Sequence, residues 1–172
     1  MRNLGGVDTE IYNNTAYVLA SNVSSDGYFV YNGQAVDTNT PATNTTVKNN
    51  LFVRQSNSSQ ETGDLIFEHA TTTGSVFSNN AFYGNFSDPV AEDSNPFTAD
   101  PVLTSPGSGT VDEVNFTFNA DGYQLQNTSP YLDAGLIIAN NGGLDFWANT
   151  LPVSEPSIGS HYLEVILPIE LI

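Results

Sequence analysis

Short stretches of alternating apolar and polar residues run through this chain, and an asparagine-rich pair recurs between them. Each copy reads as an apolar residue, the Asn-rich pair and then an apolar or aromatic strand. The copies lie at residues 11–17, 47–53 and 76–83, with Asn13, Asn49 and Asn79 opening the pairs at separations of 36 and 30 residues. Because asparagine tolerates the left-handed backbone region and hydrogen-bonds nearby backbone, each pair predicts a sharp turn between two strands.

Repeats at this spacing, separated by loops of unequal length, are typical of solenoid proteins. In such a fold the equivalent asparagines lie above one another, where their side-chain amides can form a ladder. We expect further strands at residues 27–31 and 63–68, and loops at 36–46 and 55–62. Sustained helical periodicity is absent, so the pattern predicts an all-β fold. Chance repetition in an Asn-rich sequence is the alternative, and the matching aromatic tail of three copies makes it less favoured.

The character of the sequence changes at Asp88, where a proline-rich segment at residues 88–107 leaves the regular coils, and an irregular block follows it. We therefore expect strand-forming coils in residues 1–94, a C-terminal coil and cap in residues 95–164, and a linker toward a further domain in residues 165–172. A terminal block of this kind is expected to cover the last coil, because an uncovered coil exposes a strand edge and apolar core.

The charge balance excludes several classes of partner. Among 172 residues there are 19 Asp and Glu against 3 Lys and Arg, a net charge of −16, so binding to nucleic acid or to an anionic membrane surface is not expected. The chain lacks an apolar run long enough to span a membrane, and it has no cysteine for thiol catalysis. We expect a monomer. Its first residues lack the apolar segment of a signal peptide, so we expect a fragment whose export signal lies elsewhere.

Several segments of the irregular block carry a resemblance to a known family. They are Asp100–Leu103, Tyr123–Leu125, Ser129–Gly135, Asp145–Asn149 and Ile158–His161. In order and approximate spacing this set resembles the C-terminal part of right-handed parallel β-helix proteins secreted by Bacteroidetes-like bacteria. The resemblance implies that fold and an extracellular or cell-surface location. Departures from the family pattern are Ala148 in place of the usual glycine, Ser160-His161-Tyr162 in place of Ala-Tyr-Glu, and no arginine at residues 150–153.

The last residues, Ile166–Ile172, resemble the junction that precedes a sorting domain for type IX secretion. An ordinary apolar last strand is the alternative interpretation. The family that the irregular block resembles includes polysaccharide lyases, surface adhesin-like proteins and members of unknown role. We therefore expect a structural segment of a secreted cell-surface protein that contacts an extracellular polysaccharide. The alternative is the C-terminal part of a polysaccharide lyase, or of a glycoside hydrolase, that acts on an acidic polysaccharide.

A lyase on this fold needs a base, often Lys or Arg, to abstract the proton next to a uronate carboxylate. The chain offers Lys48 and Arg54 as candidate catalytic residues, with Arg2 as its third cation. The separation of six residues between Lys48 and Arg54 predicts that both point outward from one face of a sheet. Two solvated surface charges are the favoured interpretation of this pair, and the catalytic residues remain unassigned.

A hydrolase needs two carboxylates within about 5 to 10 Å of each other. Asp64 with Glu68 on one strand is one candidate pair, and a second group of acids lies in the proline-rich loop: Asp88, Glu92, Asp93 and Asp100. Our first expectation is that the chain binds no cofactor. If it binds one, Ca²⁺ is the candidate, because Ca²⁺ prefers oxygen ligands and these loop acids supply them. His69 and His161 are far apart in sequence, which argues against a zinc site or a catalytic triad.

Two kinds of residue have a structural and a functional interpretation. Asp133 and Asp145 are expected to cap turns by accepting backbone N–H bonds. The chain has more aromatic residues than a narrow interior can hold, so we expect some of them to form an outward row that stacks on sugar rings. For any single one of them, packing in the core is the favoured interpretation. The set comprises Tyr12, Tyr17, Tyr28, Tyr31, Phe52, Tyr83, Phe86 and Trp147.

Overall fold

Short β-strands build the described part of the chain. The computed structural model describes residues 1–18, 29–35, 37–54, 66–84, 93–112, 114–115 and 117–163. The strands are β1 (Arg2–Leu4), β2 (Glu10–Tyr12), β3 (Thr15–Val18), β4 (Val30–Gly33), β5 (Thr46–Lys48), β6 (Leu51–Arg54), β7 (Ile66–Glu68), β8 (Val76–Ser78), β9 (Ala81–Gly84), β10 (Thr110–Asp112) and β11 (Thr117–Asn119). A 3₁₀ turn covers Asp121–Tyr123, and these residues contain no α-helix. The expected all-β class is confirmed.

Nine of the strands form three parallel sheets of three strands each, in the orders β1-β4-β7, β2-β5-β8 and β3-β6-β9. Each sheet takes every third strand, so the chain enters all three sheets before it pairs with its own earlier strand. The register is regular: Ala16 pairs with Phe52, and Phe52 pairs with Phe82. Only β10 and β11 pair antiparallel among the named strands. No helix in the described residues has the length and apolar character that crossing a bilayer requires.

The three predicted turns lie at equivalent corners of the fold. Asn13, Asn49 and Asn79 have φ values of 53°, 54° and 56°, which place all three in the left-handed region. Each lies between a strand of the second sheet and a strand of the third sheet. A second column of left-handed corners escaped the sequence analysis, since its residue type varies: Asp8, Asn44 and Gly74.

The second asparagine of each pair forms the predicted amide ladder. The Asn14 side chain donates to Asn50 Oδ1 at 2.9 Å, and the Asn50 side chain donates to Asn80 Oδ1 at 2.8 Å. Asn80 donates in turn to Asp93 Oδ2 at 2.7 Å. Asp93 is 6% exposed and is the last acceptor of the ladder. A carboxylate suits this position, because it accepts hydrogen bonds without requiring a donor partner of its own.

The interior between the sheets is filled by a central cluster of apolar side chains. All three sheets contribute to it, and rings in register stack: Phe52 and Phe82 have centroids 5.5 Å apart, and Phe29 and Phe52 lie at 5.1 Å. Its buried members are Phe29, Val30, Val47, Phe52, Phe77 and Phe82. This cluster positions the strands that carry the candidate site.

The C-terminal block lies along the outer side of the β3-β6-β9 sheet. Leu51 and Val53 alternate with Phe52 on β6, and they join a second, flank cluster with side chains of the block. Its buried members are Leu51, Val53, Ala81, Leu103, Leu125, Tyr131 and Ile158. The apolar run of β6 is therefore covered on both faces, as in buried parallel strands.

Hydrogen bonds join the block to the first and second layers of this sheet. The Asn49 side-chain amide donates to Leu136 O at 2.7 Å, while its Oδ1 accepts the Leu136 N–H at 2.9 Å. Ser160 N–H donates to Thr15 Oγ1 at 3.0 Å. A Cβ on Gly159 would lie 2.8 Å from that Oγ1 atom, so the glycine permits the close approach. We had expected the block to cover the last coil, yet it contacts every layer.

Residues 93–97 are the part of the chain that extends the far edge of the sheets. Phe77 forms a parallel bridge with Asp93, and Ala81 forms one with Phe97. The Phe97 carbonyl accepts the Phe82 N–H at 2.8 Å. The proline-rich segment was expected to leave the regular coils entirely, but these residues continue two sheets by one layer. The expected boundary at residue 94 falls inside this layer, and residues 164–172 lie outside the described residues.

Ala148 is a site of local backbone strain that a glycine would relieve. Ala148 has a φ of 65°, a left-handed conformation in which an L-residue costs roughly 1–2 kcal/mol. We expect Ala148→Gly to stabilise the protein by about 0.5–1 kcal/mol after the entropy of the more flexible unfolded chain is subtracted. The measurement is urea unfolding of both proteins. Ala139→Gly is the matched control, since Ala139 is also exposed but has no positive φ, and it should destabilise instead. Equal effects of both substitutions would contradict this explanation.

Candidate functional site

A cleft of about 400 Å³ lies between β3 and the C-terminal block. Aromatic side chains line it together with small and polar residues. The lining residues are Asn14, Thr15, Tyr17, Gly109, Ala120, Tyr123, Phe146, Trp147 and Ser160. Its volume lies in the range of about 300–1,000 Å³ that is usual for ligand sites.

One wall of the cleft is formed by Tyr17 and Tyr123. Tyr17 projects from β3, and Tyr123 ends the 3₁₀ turn; their ring centroids are 5.6 Å apart. Burial, and secondarily the neighbouring Tyr123, raises the pKa of Tyr17. The Tyr17 hydroxyl therefore stays protonated at neutral pH and can donate a hydrogen bond. Both rings also pack against the flank cluster, which holds them in place.

A second part of the lining is the loop that carries Phe146 and Trp147, and Asp145 organises this loop. Asp145 Oδ1 accepts the N–H groups of Trp147 and Asn149, both at 2.8 Å. Its Oδ2 accepts the Asn149 side-chain amide and the Tyr162 N–H, also at 2.8 Å. The expected turn-capping role of Asp145 is confirmed. Asp133 has a φ of 56°, which places it in a left-handed turn.

Contacts on two sides fix the Trp147 ring. Its Nε1 donates to Asp121 Oδ1 at 2.9 Å, and its centroid lies 5.1 Å from the His161 ring in an edge-on arrangement. Phe146 lies edge-on to Trp147 at 4.9 Å and is 57% exposed. Two large apolar rings are therefore presented at the cleft by a rigid loop, which suits a ligand with an apolar face.

His161 supports the loop in its neutral form. It is 6% exposed, and its Nδ1 accepts the Leu125 N–H at 3.1 Å, which requires that nitrogen to be unprotonated. Burial lowers the pKa of His161, an effect that nearby Asp145 partly opposes. Protonation would remove the acceptor and place a buried charge beneath Trp147.

We expect acidification to weaken the fold through His161. Since its pKa is lower in the folded state, the folded protein binds fewer protons, and stability falls as the pH drops below the ordinary value of 6.5. The measurement is urea unfolding at a series of pH values between about 7.5 and 5, above the usual range of carboxylate titration. His161→Asn keeps an acceptor near the Nδ1 position and removes the titration, so its stability should fall less over that range. Parallel pH profiles for both proteins would rule out this role.

Lys48 and Arg54 do not share a sheet face, so that part of the expectation is wrong. Lys48 ends β5 and Arg54 ends β6, and the left-handed corner at Asn49 separates the two strands. A separation of six residues places two side chains on one face only if both residues lie on one continuous strand, and Lys48 and Arg54 lie on two. Arg54 is 2% exposed, and its guanidinium carbon lies 5.6 Å from the Phe29 ring centroid, on the side of the central cluster. Neither residue lines the aromatic cleft.

The candidate carboxylates are not brought together at the cleft. Asp93 ends the amide ladder, and exposed Asp100 accepts the Tyr83 hydroxyl at 3.0 Å. Exposed Glu68 lies 3.4 Å from the Asn32 side-chain amide. The remaining candidates, Asp64, Asp88 and Glu92, lie outside the described residues. Among the residues that are described, no group of three or more His, Asp or Glu side chains could hold a metal ion.

The aromatic candidates divide between the interior and the surface. Tyr17 and Trp147 line the cleft, whereas Phe52 belongs to the central cluster. Tyr12, Tyr31 and Tyr83 lie elsewhere on the described strands, and Tyr28 and Phe86 lie outside the described residues. Tyr123 and Phe146 were not predicted as site residues. Phe146 directly precedes Trp147, which is a usable signal, whereas Tyr123 lies between Gly122 and Gln124 and has no aromatic neighbour in the sequence.

Comparison of the chain with protein-family models finds no match, and no curated protein sequence matches it. The function has to be argued from the site itself.

Proposed function

We propose that this chain is a segment of right-handed parallel β-helix in an extracellular or cell-surface protein, and that its aromatic cleft contacts carbohydrate. Three parallel sheets that each take every third strand support a helical path of the chain. Right-handedness follows from the general preference for right-handed connections between parallel strands, which holds in about 98% of cases. The stacked asparagines support the same architecture, because equivalent residues lie one layer apart.

The aromatic lining of the cleft carries the carbohydrate part of the proposal. Sugar rings present apolar C–H faces and hydroxyl edges, so they need flat apolar walls with hydrogen-bonding groups between them. Tyr17, Tyr123 and Trp147 provide such walls, and Asn14 and Ser160 provide polar groups. The alternative of a lyase or hydrolase has less support, since the lining residues that the structure describes include no carboxylate and no Lys or Arg.

We expect the purified chain to bind glycans through this cleft, and removal of one wall to weaken binding. Phe146→Ala should reduce affinity about tenfold, because an aromatic contact of roughly 1.5 kcal/mol corresponds to about that factor. The measurement is a glycan array followed by isothermal titration with the glycans that bind. Leu144→Ala is the matched control, because Leu144 lies in the same loop at 56% exposure but does not line the cleft.

Two results would contradict the carbohydrate proposal. One is a glycan array with no binding above background by the folded protein. The other is equal weakening by Phe146→Ala and Leu144→Ala, which would place the ligand outside the cleft. Loss of fold is checked separately from the near-ultraviolet circular dichroism of each variant.

A further inference from the structure

None of the chain's Lys and Arg residues is among the lining residues of the aromatic cleft. The chain has three of them. The Arg2 guanidinium carbon lies 5.0 Å from the Tyr31 ring centroid in the β1-β4-β7 sheet. Lys48 ends β5 in another sheet, and Arg54 is buried beside Phe29. The cleft therefore does not present a Lys or Arg side chain among its described lining residues to a carboxylate or sulfate group of a ligand.

Two carboxylates lie next to the aromatic lining of the cleft. Asp121 accepts the Trp147 Nε1–H, and Asp145 accepts the Trp147 backbone N–H, so both carboxylates lie directly behind the aromatic wall. Asp145 also accepts bonds from Asn149 and Tyr162, which leaves it engaged by protein donors rather than directed at a ligand. The net charge of −16 adds a long-range repulsion of polyanions.

The described lining residues are uncharged and include four aromatic rings and the hydroxyl or amide groups of Asn14, Thr15 and Ser160. We propose that the ligand of the cleft is a neutral glycan, built of pyranose rings without carboxylate, sulfate or ammonium groups. This inference rests on the proposed carbohydrate function and specifies its ligand. It departs from the acidic polysaccharide of the lyase or hydrolase alternative, because acidic sugars would enter a negative region whose described lining offers no cation.

The charge of the ligand can be tested by titrating the full chain with neutral, acidic and basic oligosaccharides at two ionic strengths. The probes are neutral β-glucan and mannan oligomers, oligomers of polyuronate, and oligomers of glucosamine, all of equal length. Salt is raised from about 0.01 M to about 1 M, over which the screening length falls from about 30 Å to about 3 Å. Neutral oligomers should bind, their affinity should change less than about twofold with salt, and Phe146→Ala should weaken them about tenfold.

The other outcomes separate this inference from the proposed function. Uronate binding that Phe146→Ala weakens would overturn the neutral ligand while the carbohydrate site stands. If glucosamine oligomers bind, and if both high salt and Phe146→Ala weaken that binding, the neutral ligand is likewise overturned while the carbohydrate site stands. If no oligomer of any charge binds, the proposed function fails and this inference fails with it. Neutral binding that is indifferent to Phe146→Ala would place the ligand elsewhere and overturn the inference.

Discussion

Gly84→Ala should cost about 4 kcal/mol or more of folding free energy, a large share of the roughly 5–15 kcal/mol that stabilises a typical domain. Gly84 ends β9 with a φ of 117°, and a Cβ built on it would lie 1.7 Å from the Arg54 carbonyl oxygen. Gly84 and Arg54 pair directly in the register of the β6–β9 sheet. The clash is therefore between two backbones that hydrogen bonds hold together, and no side-chain rotation can relieve it. Urea unfolding followed by circular dichroism measures the loss.

Gly142→Ala is the matched control for this prediction. Gly142 also has a positive φ, of 86°, but a Cβ there would meet no heavy atom within 4 Å. Its substitution should cost only the conformational penalty of roughly 1–2 kcal/mol. The difference between the two variants isolates the steric effect. If both lose the same stability, the close pairing of Gly84 with Arg54 has no energetic role.

Asn50→Ala is the second substitution with a large expected effect, about 3 kcal/mol or more, because several buried groups lose partners worth roughly 1–3 kcal/mol each. Asn50 is fully buried in the centre of the amide ladder. Its Oδ1 accepts two N–H groups of Asn14, and its Nδ2 donates to Asn80 Oδ1 and to the carbonyls of Ile11 and Lys48. Thermal and urea unfolding measure the loss.

Asn50→Asp distinguishes hydrogen-bond acceptance by the Asn50 side chain from hydrogen-bond donation by it. The aspartate keeps the acceptor for Asn14 and replaces the donor by an oxygen that faces the Ile11 and Lys48 carbonyls. We expect it to destabilise at least as much as alanine at neutral pH, because a buried charge then lies among acceptors. Asn127→Ala, at an exposed position, is the control and should change stability by about 0.5 kcal/mol at most. A mild effect of Asn50→Asp would show that donation within the ladder contributes little.

The asparagine pairs could be predicted because their cause is local. The left-handed conformation of Asn13, Asn49 and Asn79 follows from the tolerance of asparagine for that region, whatever surrounds it. The ladder then follows once equivalent corners stack. The corner column of Asp8, Asn44 and Gly74 has the same geometry but three residue types, so the sequence contains no repeated letter to mark it.

The candidate site could be predicted only in part. The sequence analysis singled out Tyr17 and Trp147, and the structure places both at one cleft with Tyr123 and Phe146. Their meeting depends on the docking of the C-terminal block against β3, which joins residues more than a hundred positions apart, such as Ser160 and Thr15. Spacing along the chain contains no information on such a contact.

By itself the sequence determined the all-β class, the corners at the asparagine pairs, their ladder and the scarcity of cations, since each depends on residue type and local periodicity. Only the tertiary structure decided that Arg54 turns inward, that Leu51 and Val53 face a covering block, and that aromatic side chains meet in a cleft. The physical reason is that a strand alternates its side chains between two faces, and what covers each face depends on distant segments.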